Sequence, residues 1–269
     1  MKISVYNTWD HVNKAEAEGE KSVVLAWDGE YRINDMIEFS GLTPGRFYIV
    51  RVDATMDEAL VYITKESVLY TVPFYEKKTS YNPLSFFGNR HYISIRYAED
   101  HEIYCYRNLS KNAFDQHDVD GVYPHAYANV ETRGEAVFAA RNAIDGFVAT
   151  RGHGEWPYES WGINRQDDAK ITIDFGRAVD VDKIYIYTRA DFPHDNWWIS
   201  GTFTFSDGST LKIALEKKTD EAQVFEHIDK KGITWLSLDE LIKADDPSPF
   251  PALTQIEVYG RENGSSRKG

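Results

Sequence analysis

The amino-acid sequence predicts an all-β protein: two antiparallel jelly-roll β-sandwich domains with few short helices. Three observations carry this expectation. Aromatic residues make up 14% of the 269 residues, with 17 Tyr and 7 Trp, and such rings favour pleated, half-buried surfaces. The first half breaks into about eight short alternating segments divided by turn residues, which is sandwich spacing. Helical periodicity is scarce there. A hydrophobic content of 42% suffices for real cores, and the length suits two domains of ordinary size.

Residues 1–7 alternate Ile3 and Val5 with Ser4 and Tyr6, as a strand with one buried face does. Residues 9–20 are polar and acidic and read as a loop or a short helix. A short apolar strand at 22–27 ends at the turn Asp28-Gly29. Strands are expected at 31–39, 46–54, 59–64 and 68–74, the first two divided by Gly41-Leu42-Thr43-Pro44-Gly45. Residues 75–88, rich in Lys, Ser, Asn and aromatics, form a long loop. Residues 91–97 and 102–107 are expected to pair as a hairpin, with Cys105 a small buried hydrophobe in its second strand. The pattern then lapses over 108–128, where Asp115, His117, Asp118 and Asp120 form an acidic run. That run lacks the alternate oxygen donors and closing Glu of an EF-hand loop. It reads as a solvated linker, so the first domain is expected to span 1–128.

The second domain, 129–260, opens on a short helix expected at 134–144 and ending at Asp145-Gly146. A long loop, 147–168, carries His153, Trp156, Tyr158, Trp161, Asn164 and Arg165. Strands follow at 170–175, 183–188 and 202–205, and Ser206-Asp207-Gly208-Ser209 turns a hairpin into 210–215. Further strands are expected at 223–228 and 233–238. A helix is expected from Ser237, because Glu240 completes a capping box. Leu238, Leu241 and Ile242 give it an apolar side, and Pro247 a stop. Residues 255–259 form a last strand, and 261–269 a disordered tail.

One loop between two strands is chemically loaded: Arg189-Ala190-Asp191-Phe192-Pro193-His194-Asp195-Asn196-Trp197-Trp198. A loop that only turned the chain would use Gly, Asn, Ser and other small polar residues. Aromatic faces beside Arg189, Asp191, His194, Asp195 and Asn196 suit a ligand with apolar C–H faces and many hydroxyls, which is a sugar. Adjacent residues of an extended segment point opposite ways, so at most one of Trp197 and Trp198 faces a ligand. Trp156 and Tyr158 of the long loop would complete the platform. A plainer reading has Pro193 make the turn, one Trp plug a core, and Arg189 pair with Asp191 or Asp195.

The formal charge of −13 argues against non-specific nucleic-acid binding and against docking on anionic membranes. The single cysteine excludes an intrachain disulfide. Residues 1–15 carry no apolar signal region, so a cytoplasmic protein is expected, or a secreted one lacking its leader.

Several short motifs recur in a recognisable order. They are Ala139-Ala140-Arg141-Asn142-Ala143-Ile144-Asp145-Gly146, then Trp161, then Ile171-Thr172-Ile173-Asp174-Phe175-Gly176. After them come residues 181–187, Phe205-Ser206-Asp207-Gly208-Ser209, and the closing Ile256-Glu257-Val258-Tyr259-Gly260. Over residues 130–260 this order resembles the discoidin or coagulation-factor type C family of galactose-binding-like β-sandwiches. Many carbohydrate-binding modules of bacterial glycosidases belong to it. The resemblance implies ligand loops at one end of the sandwich and a structural Ca²⁺ near the Asp-Gly turn. Carried over by position, Asp145 gives a carboxylate oxygen and Glu257 closes the site, with Thr150 and the Arg141 carbonyl completing it. Two carboxylates from distant segments satisfy the oxygen demand of Ca²⁺ and tie the chain together. The sequence departs from the family between Asp145 and Trp161, where an insertion carries His153, Glu155, Trp156 and Tyr158. The ligand set named above therefore rests on chemistry and loop position.

Three functions follow. The first is a non-catalytic carbohydrate-binding protein, with an indole stacking on a sugar ring and Arg189, Asp191, His194 and Asn196 bonding its hydroxyls. The second is a sugar-active enzyme with an acid–base pair of His194 and Asp191 or Asp195. No nucleophile elbow, phosphate-cradling glycine loop or zinc-protease motif accompanies it. The third is an assembly module whose aromatic loop meets a protein partner in an oligomer.

Overall fold

The computed structural model describes residues 1–149, 152, 155–157, 159–191 and 196–264. Every strand pairing in it is antiparallel. In the first half, β1 (Lys2–Asn7), β2 (Asn13–Glu18), β4 (Asp35–Ser40) and β7 (Ser67–Thr71) form one sheet in the order β2-β1-β4-β7. Facing it are β3 (Ser22–Asp28), β5 (Arg46–Arg51), β6 (Ala59–Ile63), β8 (Arg90–Tyr97) and β10 (Val122–Tyr123), ordered β10-β6-β5-β8-β3. The period-2 pattern decides which faces meet. Ile3 pairs with Phe39 and Phe39 with Val68 on one sheet; Leu25 pairs with Ile93 and Val23 with Ile95 on the other. All seven are buried in one core, and each such side chain contributes about 1.5–3 kcal/mol on leaving water.

The second core is built on β13 (Ile171–Arg189), which pairs with four other strands. Around it lie β9 (Arg107–Asn108), β11 (His125–Ala128), β12 (Trp161–Gly162), β14 (Trp198–Phe205), β15 (Thr210–Ala214), β16 (Gln223–Phe225), β17 (Lys230–Lys243) and β18 (Ala252–Glu262). The pairing of β13 with β17 shifts register between Asp174 and Val179, so one long strand serves both layers. Gly176 sits at this shift with φ +64°, and a Cβ there would meet the Tyr123 ring at 2.3 Å. No helix among the described residues is long and apolar enough to cross a membrane.

Several local expectations give way to tertiary pairing. The helix expected from Ser237 is instead the end of β17, because Leu236 and Leu238 alternate inward and pair with Phe205 and Phe203. The capping residues are used differently: Ser237 bonds Asp239, and Glu240, at φ +47°, accepts from Thr202 Oγ1 at 2.7 Å. The helix expected at 134–144 is three short 3₁₀ turns, Thr132–Gly134, Ala136–Phe138 and Ala140–Ile144. The hairpin expected across 98–101 is replaced by a one-turn helix α1 (Asp100–Ile103). Arg96 clasps Glu102 there at 2.6 and 2.8 Å, leaving Cys105 exposed. Residues 13–18, expected in a loop or a short helix, form edge strand β2.

The acidic run expected as a solvated linker is woven into both cores. Leu109 belongs to the second, while Phe114 and Val122 belong to the first. Asp115 is fully buried; its carboxylate accepts from the Ala126 N–H at 3.0 Å and lies 2.7 Å from His125 Nδ1. Arg261 and Glu262, expected in a tail, instead end β18, and Arg177 holds the buried Glu262 carboxylate.

Candidate functional site

β13 ends at Arg189, which is 0% exposed. A guanidinium this deep must be paired. Its Nε donates to Asp191 Oδ1 at 2.9 Å and its Nη2 to Asp191 Oδ2 at 3.3 Å. Nη2 also donates to the Gly152 carbonyl. Arg189 therefore fastens the inserted loop to the end of β13, and Asp191 is its counter-charge. Asn196 is likewise structural: Nδ2 donates to the Ser248 and Ala244 carbonyls at 2.7 and 3.3 Å, and Oδ1 accepts from the Trp197 N–H.

The two adjacent indoles divide. Trp198 is 1% exposed and lies 6.4 Å from the Trp161 ring in the core. Trp197 turns outward, with the Lys217 ammonium 4.9 Å from its ring centre. Trp156 has different neighbours. Its backbone N–H donates to the Thr79 carbonyl of the first half at 2.8 Å, and its ring meets Phe147 edge-on at 5.3 Å and 88°. The structure thus joins Arg189 with Asp191, and Trp156 with the Asp145 turn, but Trp156 and Trp197 share no cavity among those described below. His194, Asp195, Tyr158 and Thr150 lie outside the described residues.

Trp156 and Phe147 edge a cavity of about 170 Å³ between the two halves, lined also by Tyr81, Ser85, Arg141 and Asp145. A second cavity, about 290 Å³, shares Ser80, Tyr81 and Arg141 with it. Arg141 is the pillar between them. Its Nε donates to the Asp115 carbonyl at 2.8 Å and its Nη1 to Asn142 Oδ1 at 3.0 Å, and its guanidinium lies 4.6 Å from the Tyr81 ring centre.

Behind the smaller cavity is a pair of buried carboxyls. Asp145 Oδ1 accepts from the Phe147 N–H at 3.0 Å, while Oδ2 meets no hydrogen-bond partner at ordinary geometry among the described residues. Glu159 is 2% exposed, and among the described residues neither of its oxygens meets a hydrogen-bond partner at ordinary geometry. Were both ionised each could only accept; a proton held on Glu159 lets it donate to Asp145, a shared bond that raises Glu159 and lowers Asp145. Burial pushes the Asp145 carboxyl upward against the pull of Arg141. Burial, reinforced by the Asp145 charge, pushes Glu159 higher still. Glu159 was not among the residues expected to matter. Its sequence signal is a lone acid in the aromatic run Trp156-Pro157-Tyr158-Glu159-Ser160-Trp161, immediately before a strand.

Glu257, expected to close the cation site, has other neighbours. It accepts from Tyr259 Oη at 3.2 Å, and burial raises its pKa against the nearby Lys111 ammonium. Lys111 also pulls on Asp145 and is bonded to Asp57 at 2.6 Å. Among the described residues no cluster of three or more His, Cys, Asp or Glu gathers as a metal site.

A family described as "Domain of unknown function (DUF7402)" matches residues 124–242. None of the curated protein sequences matches the chain. Among solved structures, it is similar to chitosan-binding module 1 from the chitosanase/glucanase of Paenibacillus sp. IK-5, at 17% identity and a TM-score of 0.38. That match covers 57% of this chain and 98% of the module. It is similar to the family 32 carbohydrate-binding module of NanJ from C. perfringens, solved with galactose. The identity there is 20% and the TM-score 0.35, over 50% of this chain and 91% of the other. An F5/8 type C domain from Bacteroides fragilis matches at 10% identity and a TM-score of 0.38, over 51% and 91%. These neighbours are carbohydrate-binding modules and type C domains of the class that the motif order resembles.

Proposed function

We propose that the protein binds carbohydrate without turning it over, in the cleft where the inserted loop meets the first half. One observation carries this reading. Two partly exposed rings, Trp156 and Phe147, flank a cavity whose wall holds Arg141, Asp145 and Tyr81. An indole face accepts the apolar C–H surface of a pyranose, while fixed polar groups take its hydroxyls. Arg141 is a good donor for this because its own bonds lock its rotamer. Arg189, Asp191 and Asn196 act as frame rather than as contacts, and Trp197 lies with Lys217 outside this cleft. Under this reading the first unit, 1–128, and the second, 129–260, share one binding cleft.

We also propose a structural Ca²⁺ beside the Asp145 turn. The residues fit it: buried carboxyl oxygens on Asp145 and Glu159 meet no partner at ordinary geometry among the described residues, and hard oxygen donors are what Ca²⁺ requires. Asp145 and Glu159 would hold it with the Arg141 carbonyl and Thr150, while Glu257 stays with Tyr259. Bound there, the ion would add positive charge to that of Arg141 and Lys111 beside the two buried carboxyls.

The test of sugar binding is titration with neutral mono- and oligosaccharides against the wild type and Trp156→Ala. We expect the variant to keep its melting temperature and lose at least about ten-fold in affinity, or 1.4 kcal/mol. Equal affinity in both proteins would remove Trp156 from the site.

A further inference from the structure

A third cavity, about 270 Å³, lies apart from the Trp156 cleft, in the second half. Its position follows from register. Gly162 ends β12, Ala252 begins β18 and Arg189 ends β13; Ala252 pairs with both of the others. The cavity, lined by Gly162 and Ala252, therefore opens at the strand ends that also carry the 189–197 loop.

Its walls combine apolar and cationic groups. Phe138 is buried, and the Arg133 guanidinium lies 5.7 Å from its ring centre. Phe250 is partly exposed, with the Arg165 guanidinium 4.6 Å from its ring centre. The two arginines differ in one respect. Arg133 is neutralised by Glu135 through bonds of 2.6 and 2.8 Å. Arg165 makes no ion pair or side-chain hydrogen bond among the described residues, and the nearby Asp167 is 3.6 Å from Lys243. Among the described residues, then, one guanidinium beside this cavity has no carboxylate partner, on a chain of net charge −13. Stacking on Phe250 orients its planar fork while leaving its N–H edges free.

The backbone is consistent with a built site. Asn164 and Arg165 both take left-handed conformations, φ +48° and +61°, which cost non-glycine residues free energy. The Asn164 N–H donates to Thr132 Oγ1 at 2.9 Å and fixes the turn that presents Arg165.

We propose that this cavity is a second binding site, taking an acidic sugar unit, a pyranose bearing a carboxylate, with Arg165 as the carboxylate's partner. A guanidinium fork matches a carboxylate bidentately. Phe138 and the edge of Phe250 offer apolar surface to the ring. The proposal takes from the carbohydrate reading only the class of ligand; its cavity and residues are separate from the Trp156 cleft.

The experiment is calorimetric titration of the full chain with sialyllactose and with a glucuronate-terminated disaccharide. Lactose and sodium acetate are the controls. The proteins are wild type, Arg165→Ala, Arg165→Lys and Trp156→Ala. Either acidic sugar should bind at least about ten-fold more tightly than lactose and acetate. Arg165→Ala should lose that margin at an unchanged melting temperature, Arg165→Lys should keep part of it, and Trp156→Ala should keep all of it. Which acidic sugar binds distinguishes a sialate from a uronate. Acidic sugars binding no better than lactose, acetate matching them, or full binding by Arg165→Ala would each overturn the proposal. Loss of acidic-sugar binding in Trp156→Ala would place the ligand in the other cleft and overturn it as well. Loss of lactose binding alone in Trp156→Ala bears only on the first reading.

Discussion

Arg177 and Glu262 form a buried bidentate ion pair, with Nε–Oε2 and Nη2–Oε1 distances of 2.9 and 2.8 Å. The pair joins the bend of β13 to the last residue of β18. Arg107 donates to the same carboxylate at 2.7 Å, and the Arg177 guanidinium lies 4.9 Å from the ring of Phe47 in the first half. The end of β18 is thus fastened to both halves through one carboxylate. Burial depresses the Arg107 pKa, and the neighbouring Arg177 charge adds to this. Glu262 offsets both costs.

Removing that carboxylate leaves two guanidinium groups without their counter-charge. Breaking a buried pair in this way costs about 3–5 kcal/mol. We expect Glu262→Gln to lower the unfolding free energy by that amount, read as a lower urea midpoint at an unchanged slope. A change below about 1 kcal/mol would mean the arginines find other partners or water, and the fastening role would fall.

The adjacent indoles should separate cleanly in stability. Trp198 packs against Trp161 in the second core, and Trp197 faces out under Lys217. Trp198→Ala opens a core cavity and should cost about 3–5 kcal/mol. Trp197→Ala should stay within about 0.5–1 kcal/mol. Thermal melts of both variants decide it, and similar losses in the two would contradict the division.

Stability should also depend on His125. Burial opposes its charged form, but the hydrogen bond from Nδ1 to the buried Asp115 and that residue's charge outweigh it, so its pKa is raised. A raised folded-state value favours the protonated ring. The stabilisation is therefore complete below the unfolded value, about 6.5, and is lost as pH climbs through the folded value. We expect the difference in unfolding free energy between wild type and His125→Gln to shrink between about pH 6 and pH 8. A difference that grows over this range would reverse the assignment of the charge.

The sequence reading succeeded where local pattern and burial agree. Ile3 and Val5, or Ile171 and Ile173, alternate because one strand face is buried, and that period is visible without a partner strand. It failed where long-range pairing overrides a local signal. Ser237 and Glu240 spell a helix start, yet Leu238 is claimed on both sides, by Ile171 and Phe203. The loaded loop was legible as important but not as to why. Arg189 reads as a sugar donor until it is seen fully buried against Asp191 and the Gly152 carbonyl. Glu159 was illegible for a related reason: nothing local says that its carboxyl will lie beside Asp145, fourteen positions earlier.

That meeting of Glu159 and Asp145 can be tested without any sugar. Their oxygens are buried together, and a cation that binds only the folded state must stabilise it. At a hundred times its dissociation constant, the gain is about 2.7 kcal/mol. We expect Ca²⁺ to raise the melting temperature of protein pre-treated with chelator. Glu159→Gln and Asp145→Asn should each abolish the rise, whereas Glu257→Gln should preserve it. The control that matters is the calcium-free melt of Glu159→Gln. With its pKa raised to about 9 by burial and the Asp145 charge, Glu159 is already neutral at pH 7 without the ion, so the amide should leave the calcium-free melt within about 1 kcal/mol of wild type. A wild type indifferent to Ca²⁺ would remove the ion from this turn. A calcium response lost in Glu257→Gln but kept in Glu159→Gln would return the site to the arrangement expected from the motif order.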